Sequence, residues 1–253
     1  MLYDITDVPT TIPAEYLSWF DKFPSRLLGI GTDTKTIKGK YFGVATGIMY
    51  FAPANSSGYN VCPMAEVAKC KVPCLNTAGR GAMSNVQVSR LRKTLFWVQY
   101  PDKFKVLLRK ELDKLIRYAK ANNFEPACRL NGTSDIRWEN YIWDLMVEFS
   151  AKGVQFYDYT KIPNRRIPDP NVYDCRTFSY SGVLEFQPYV DRAIANKLRL
   201  AVVFRGKAPI TFKGMSVVDG DISDIRYREP QGVVVALSAK GKAKSDTSGF
   251  VVD

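Results

Sequence analysis

The chain has 253 residues, a hydrophobic fraction of 46%, 24% charged residues and a net charge of +11. That length and composition are enough for a buried core and exclude a disordered or fibrous chain. Histidine is absent, which excludes Ser-His-Asp and Cys-His catalysis, Cys2His2 fingers and HExxH zinc sites, and leaves acid–base work to Asp, Glu, Lys, Tyr or Cys.

In chain order, residues 1–40 read as a short helix from Ala14 to Lys22 followed by a loop rich in Thr, Pro and Gly. The opening MLYDITDVPTTIPAEYLSW lacks the basic and apolar parts of a secretory signal, so a cytoplasmic protein is expected. No window carries the roughly 20 apolar residues of a membrane span. Gly29-Ile30-Gly31 is too short for a dinucleotide fingerprint and reads as a turn. Tyr41 to Ala52 is a β-rich run stopped by Pro53. Residues 53–88 form a long segment of weak periodicity, and such loops inside a compact domain are usually functional. Phe104 to Ala119 is the clearest helix, with Phe104, Leu108, Leu112, Leu115 and Ala119 recurring on one face. Strand-like runs at 127–131, 154–160, 173–180, 199–204, 216–220 and 232–239 then alternate with helical stretches around 138–149 and 188–197. This alternation predicts an α/β fold, either a partial (β/α) barrel or an open, mostly parallel sheet with flanking helices. One α/β domain over 41–240 and a flexible basic tail over 241–253 complete the expected organisation.

Three constellations can carry chemistry. Cys62, Cys70 and Cys74 follow the first strong strand. Three thiolates from one loop can hold three corners of an iron–sulfur cluster or of a zinc site. Without histidine, a fourth zinc ligand must be Asp, Glu, water or a distant Cys. The alternative is three packed thiols, and with five cysteines in all a disulfide framework is the weaker reading. Cys128 and Cys175 lie in strand-like runs and read as core. The second constellation gathers at the carboxyl ends of parallel strands, where ligands bind in such folds. Asp135 and Lys161 are its candidate catalytic groups, and Asn131, Ser134, Ser179 and Arg205 its candidate cofactor-binding groups. Ordinary polar loop chemistry is the alternative there, as it is for Asp219, Asp221 and Asp224. The third lies within Ser89–Lys120, which holds ten Lys/Arg against three Asp/Glu. Arg90, Arg92, Lys93, Lys103, Lys105 and Arg109, interleaved with Phe96, Trp97 and Tyr100, fit phosphates and stacked bases. A solvated helix whose aromatics face the core is the competing reading.

The ordered series CPMAEVAKCKVPCL, RLNGTSD and FYDYTK resembles a phage-encoded family labelled gene product 88. Its members show a CPGA-like start with further cysteines, an RxHxSGDF-like strand end and a FYAYTK-like strand. The likeness spans roughly residues 40–165 and picks out Cys62, Cys70, Cys74, Arg129, Ser134, Asp135, Tyr157, Tyr159, Thr160 and Lys161. Asn131 stands where that family often has histidine. A second cysteine group, expected near the carboxyl end, is replaced by VVDGDISDIR and ALSAKGKAK. A cysteine loop after the first strand of an α/β barrel is also remotely similar to radical S-adenosylmethionine enzymes. The resemblance implies a phage origin and the host cell cytoplasm.

Three functions follow. The first is a radical-type enzyme with an iron–sulfur cluster (or zinc in its place) and S-adenosylmethionine, acting on or near nucleic acid. The second is a non-catalytic nucleic-acid-binding phage protein with a structural metal. The third is a host-directed interaction or structural phage protein.

Overall fold

The computed structural model describes residues 1–31 and 34–253, with the side chains of 34–36 outside the description. Its sheet begins with β1 (Leu28–Ile30) and β2 (Val44–Met49), on either side of helix α1 (Thr34–Lys40). Two long helices follow, α2 (Ser84–Gln99) and α3 (Pro101–Ala121), then β3 (Glu125–Arg129), α4 (Trp143–Ala151) and β4 (Gln155–Thr160). The rest comprises β5 (Tyr173–Ser179), α5 (Gln187–Ala195), β6 (Arg199–Phe204), β7 (Thr211–Phe212), β8 (Met215–Asp219) and β9 (Val234–Ser238).

The strands order as β1-β2-β3-β4-β5-β6-β9-β8-β7. β2 through β6 run parallel in sequence order, β9 joins β6 and β8 in parallel, and β1 and β7 close the edges antiparallel. Of the two expected architectures, the open mostly parallel sheet with flanking helices is the one observed.

Alternation along each strand explains the packing, since successive side chains point to opposite faces. Cys128, Phe156, Tyr173 and Cys175 join the core beneath α2, α3 and α4, against Leu95, Phe104, Leu112, Met146 and Phe149. Phe178, Leu200, Val202 and Val234 pack with Phe186, Val190 and Ala193 around α5. The two intervening positions Ala127 and Tyr157 turn to the other face, where they meet Val44 and Ile225. Pro101 divides the two long helices, because it is preorganised for a first helical position and has no N–H to donate.

On the other face of the sheet lie residues 220–229, part of the connection from β8 to β9. Buried charges tie this strap down. Arg129 meets Asp224 at 2.6 Å and Tyr159 donates its hydroxyl to Asp224 at 3.0 Å, while at the surface the exposed Arg228 reaches the Phe42 carbonyl and Glu125. Arg199, fully buried, bonds Asp174 at 2.5 Å and donates to the carbonyls of Glu229 and Arg226. Such pairs hold one arrangement because losing a partner strands a buried charge.

Several expectations are corrected. Gly29 lies inside edge strand β1, paired Leu28↔Met49, and the turn falls at Gly31, whose φ of +65° suits glycine. Part of the loop expected before residue 41 is helix α1, and the first helix is a 3-10 helix, Ala14–Asp21. The segment 241–253 is no free tail. It forms a 3-10 turn at Gly241–Ser245, buries Phe250 and Val251, and bridges Val252 to Phe204. Apolar burial at Phe250-Val251-Val252 outweighs the solvation of the preceding lysines. Among the described residues no helix is long and apolar enough to cross a membrane.

Candidate functional site

The loops leaving the carboxyl ends of β2, β3, β4 and β5 are stitched into one rim. After β3, the Gly132 N–H donates to the Met49 carbonyl, the Thr133 hydroxyl to the Phe51 carbonyl at 2.5 Å, and the Asp135 N–H to the Val61 carbonyl at 2.8 Å. Asp135 Oδ2 in turn accepts the Lys161 N–H at 2.8 Å, which links the loops after β3 and β4. Lys161 Nζ then donates to the carbonyl and hydroxyl of Ser179, at 2.9 and 3.0 Å, linking β4 to β5.

The three cysteines sit on the first of these loops as half-buried free thiols. Two of the sulfurs accept backbone N–H groups: Cys62 from Ala54 at 3.4 Å and Cys74 from Asn76 at 3.5 Å. Cys62 and Cys70 direct their own S–H groups to the carbonyls of Thr133 and Ala65. Burial pushes the Cys62 thiol up to about 12; the Ala54 N–H opposes that shift, and Cys74, Asp135 and Cys70 add to it. Burial also raises Cys74, opposed by the Asn76 N–H, by Arg90 and by Lys161.

Lys161 completes the cluster. Its residue is 9% exposed, and its ammonium lies 4.9 Å from the Phe250 ring centre and 5.4 Å from that of Phe186. Burial lowers its pKa, while Cys70, Asp135, Cys62 and Cys74 all pull the other way. One buried amine thus shares a field with all three thiols, and Lys161 in turn favours the charged form of Cys74. Among the described residues, no group of three or more Cys, Asp or Glu is arranged to hold a metal ion.

The other predicted groups serve as braces. Asp135 accepts from Arg165 at 3.1 Å and Thr160 at 3.2 Å besides Lys161; burial raises its pKa against the pull of Arg165. The Asn131 oxygen takes bonds from Ser134, the Ile136 N–H and the Trp138 indole, and its amide donates to the Ile136 carbonyl. Asn131 and Ser134 are therefore committed to shaping the loop. Arg205 turns away to Asp253 and to the carbonyls of Lys244 and Asp246, where it anchors the carboxyl-terminal segment. Asp221 pairs with Lys240, and Asp224 with Arg129.

The network that positions the rim centres on residues the sequence did not single out. Arg165 forks onto Glu139 at 2.9 and 2.5 Å. Asp158, fully buried, accepts the Leu130 and Asn131 N–H groups and the Tyr173 hydroxyl. Arg165 follows a β-strand in a turn-rich stretch, and only that placement hinted at a role.

The basic constellation divides. Arg90 is buried over the Tyr50 ring, Arg92 donates to the carbonyls of Lys22 and Phe23, and Lys93 to that of Leu27 at 2.9 Å. Arg92 and Lys93 turn inward because α2 packs against the amino-terminal segment, and Arg90 because it meets Asn76 of the cysteine loop beside Tyr50. Phe96 is buried, and Trp97 packs against Phe51 and Trp138, so these rings face the core. Lys103, Lys105 and Arg109 are exposed on α3, with Arg109 paired to Glu148. Lys110, Lys114, Arg117 and Lys120 extend that exposed basic surface.

A family model described as gene product 88 matches residues 26–253. No curated protein and no solved structure matches the chain.

Proposed function

The chain belongs to the gene product 88 family, a phage gene-product family, and on that premise we propose that it is a metal-binding α/β protein whose Cys62, Cys70 and Cys74 hold an iron–sulfur cluster at the carboxyl rim of the sheet. The observation that carries this reading is the placement of three free thiols on one rim loop, two of them accepting backbone N–H groups, with the buried Lys161 in the same electrostatic neighbourhood. An ammonium in an apolar setting needs facing negative charge. Asp135, the carboxylate nearest in effect, is already engaged by Arg165, so thiolates are the fitting counterpart. Metal binding would deprotonate Cys62 and Cys74, whose thiols burial otherwise keeps neutral. The Ala54 and Asn76 N–H groups on two of the sulfurs are bonds of the kind that tune cluster thiolates. A cluster held by three thiolates leaves one iron open to an external ligand, S-adenosylmethionine being the candidate. In that arrangement Lys161, fixed by Ser179 and two aromatic rings, balances the charge of the site.

The test is metal content and visible absorption of protein purified without oxygen, compared with the C62A/C70A/C74A variant. About four irons per chain, with absorption lost in the variant, is expected for a cubane cluster. About one zinc without visible absorption would replace the cluster by a structural zinc. Metal-free protein of unchanged stability in the variant would overturn the metal reading altogether.

A second reading rests on α3. Its solvent side carries Lys103, Lys110, Lys114 and Arg117 at helical spacing, a stripe suited to a polyanion. Retention on single-stranded DNA should fall with salt, and each removed contact should reduce the logarithmic slope by about 0.7. An unchanged slope in a K103A/K110A/R117A variant would remove this surface from consideration.

A further inference from the structure

A cavity of about 380 Å³ opens between the edge strand β1, α2 and α3, on residues separate from the cysteine site. Among the described residues, four cations line it, Arg26, Arg92, Lys93 and Lys114, together with Ser89 and Tyr118, and no acidic residue does. None of the four has a carboxylate partner among the described residues.

Counting donors shows what this lining offers. An ammonium has three N–H groups and a guanidinium five. Lys93 places one on the Leu27 carbonyl; Arg92 places two on the carbonyls of Lys22 and Phe23 and lies beside the Tyr3 hydroxyl. Those bonds fix both side chains in place while leaving further donors. Arg26 and Lys114 donate to no protein group among the described residues, and both are exposed at the mouth. Two anchored cations inside and two free ones outside make a preorganised anion receptor.

Lys93 also shows strain of charge. Burial depresses its pKa to about 8, with Arg90 and Arg92 adding and only Glu111 opposing. An incoming anion would relieve that repulsion. The volume exceeds what a bare oxyanion needs and falls in the range of small-molecule clefts. The Tyr118 ring and the edge strand supply an apolar wall beside the cations.

We propose that this cavity binds a phosphate monoester carried on a nucleoside-sized body, with the phosphate held by Arg26, Arg92, Lys93 and Lys114. The phosphate can come from a free mononucleotide or from the 5′ end of a nucleic-acid strand. Lys114 belongs to the stripe formed with Lys103, Lys110 and Arg117, so a strand lying along α3 would deliver its terminus to the cavity.

The experiment is calorimetric titration of the full chain with adenosine 5′-monophosphate, adenosine and inorganic phosphate, then with one oligonucleotide bearing either a 5′-phosphate or a 5′-hydroxyl. The monophosphate should bind and adenosine should not. An R26A/K114A variant, chosen because both side chains are exposed, should melt as the wild type does and lose at least about tenfold in affinity. Lys93→Gln should show the same loss. Tighter binding of the 5′-phosphorylated strand supports a strand end as the source, whereas monophosphate binding with indifference to the strand terminus supports a free nucleotide. Monophosphate and adenosine behaving alike, or a well-folded R26A/K114A variant binding monophosphate as tightly as the wild type, would overturn the proposal.

Discussion

Replacing Arg165 by alanine tests whether buried ion pairs brace the rim that carries the cysteines. The guanidinium is 2% exposed and lies 5.3 Å from the Tyr173 ring centre. Besides Glu139 and Asp135 it bonds the Ile136 carbonyl at 2.8 Å and the Tyr173 hydroxyl at 3.2 Å. Alanine would leave Asp135 and Glu139, with side chains 10% and 4% exposed, without their cation. Breaking a buried pair on one side costs about 3–5 kcal/mol. At about 2–4 °C per kcal/mol for a chain of this size, the melting temperature should fall by roughly 6–20 °C. The sign of the pH effect follows from Asp135. Burial already holds its folded pKa above the ordinary value, and Arg165 is the largest opposing influence. Removing that influence raises it further, so the folded variant binds the proton more tightly than the unfolded chain. Its deficit should therefore be smaller near about pH 5 than near about pH 7.5, because protonation neutralises the stranded carboxyl. Melts followed by circular dichroism across that range measure both quantities. Arg165→Lys, which keeps the charge but not the planar fork, should fall between the two. A variant within about 2 °C of wild type, or a deficit that grows on acidification, would refute the bracing role.

Asp158 is held up at about 6, chiefly by burial. Its contribution to stability is therefore present below the unfolded pKa and is lost, by about 3 kcal/mol, as pH rises through about 6. Urea unfolding at about pH 4 and pH 7 should show that slope in the wild type and a flatter one in Asp158→Asn; identical profiles would discount Asp158. A Cβ at Gly132 would stand 2.5 Å from the Met49 carbonyl oxygen and 2.6 Å from the Tyr50 ring. Gly132→Ala should thus cost about 1–3 kcal/mol and speed thiol labelling of the cysteine loop, and a neutral melt with unchanged labelling would contradict that contact. Phe250→Ala should cost about 3 kcal/mol and open the carboxyl-terminal segment to limited proteolysis. Wild-type resistance in that variant would mean that Phe250 does not pin the segment.

Much of this architecture was legible because buried parallel strands write themselves as short apolar runs. FYDYT and RLAVVF, for example, became β4 and β6. Cys62, Cys70, Cys74, Asp135 and Lys161 were legible as rim residues because each follows such a run, and the parallel topology then gathers them. β1 was not legible: it has three residues, one of them glycine, and no room for periodicity. The carboxyl-terminal segment was misread because its lysines dominate the composition while three apolar residues decide its path. Arg92 and Lys93 show a different limit. Charge in a sequence does not say which way a side chain turns, and here the partners are backbone carbonyls at residues 22–27. The Arg165–Glu139–Asp135 brace joins separate loops, so only the folded topology reveals it.

The position of β9 between β6 and β8 sets an order of assembly. As the chain is synthesised, each strand from β2 to β6 finds its neighbour already in place. The β7–β8 hairpin then emerges with nothing to dock on, since β8 meets the main sheet only through β9. Until β9 arrives, β6 presents an open parallel edge, and the strap at 220–229 has no fixed carboxyl-terminal attachment. Docking β9 joins the hairpin and fixes the strap on the opposite face in one late, cooperative step. A nascent chain halted just before residue 234 is accordingly the species most exposed to edge-to-edge association, and the one in greatest need of a holding chaperone.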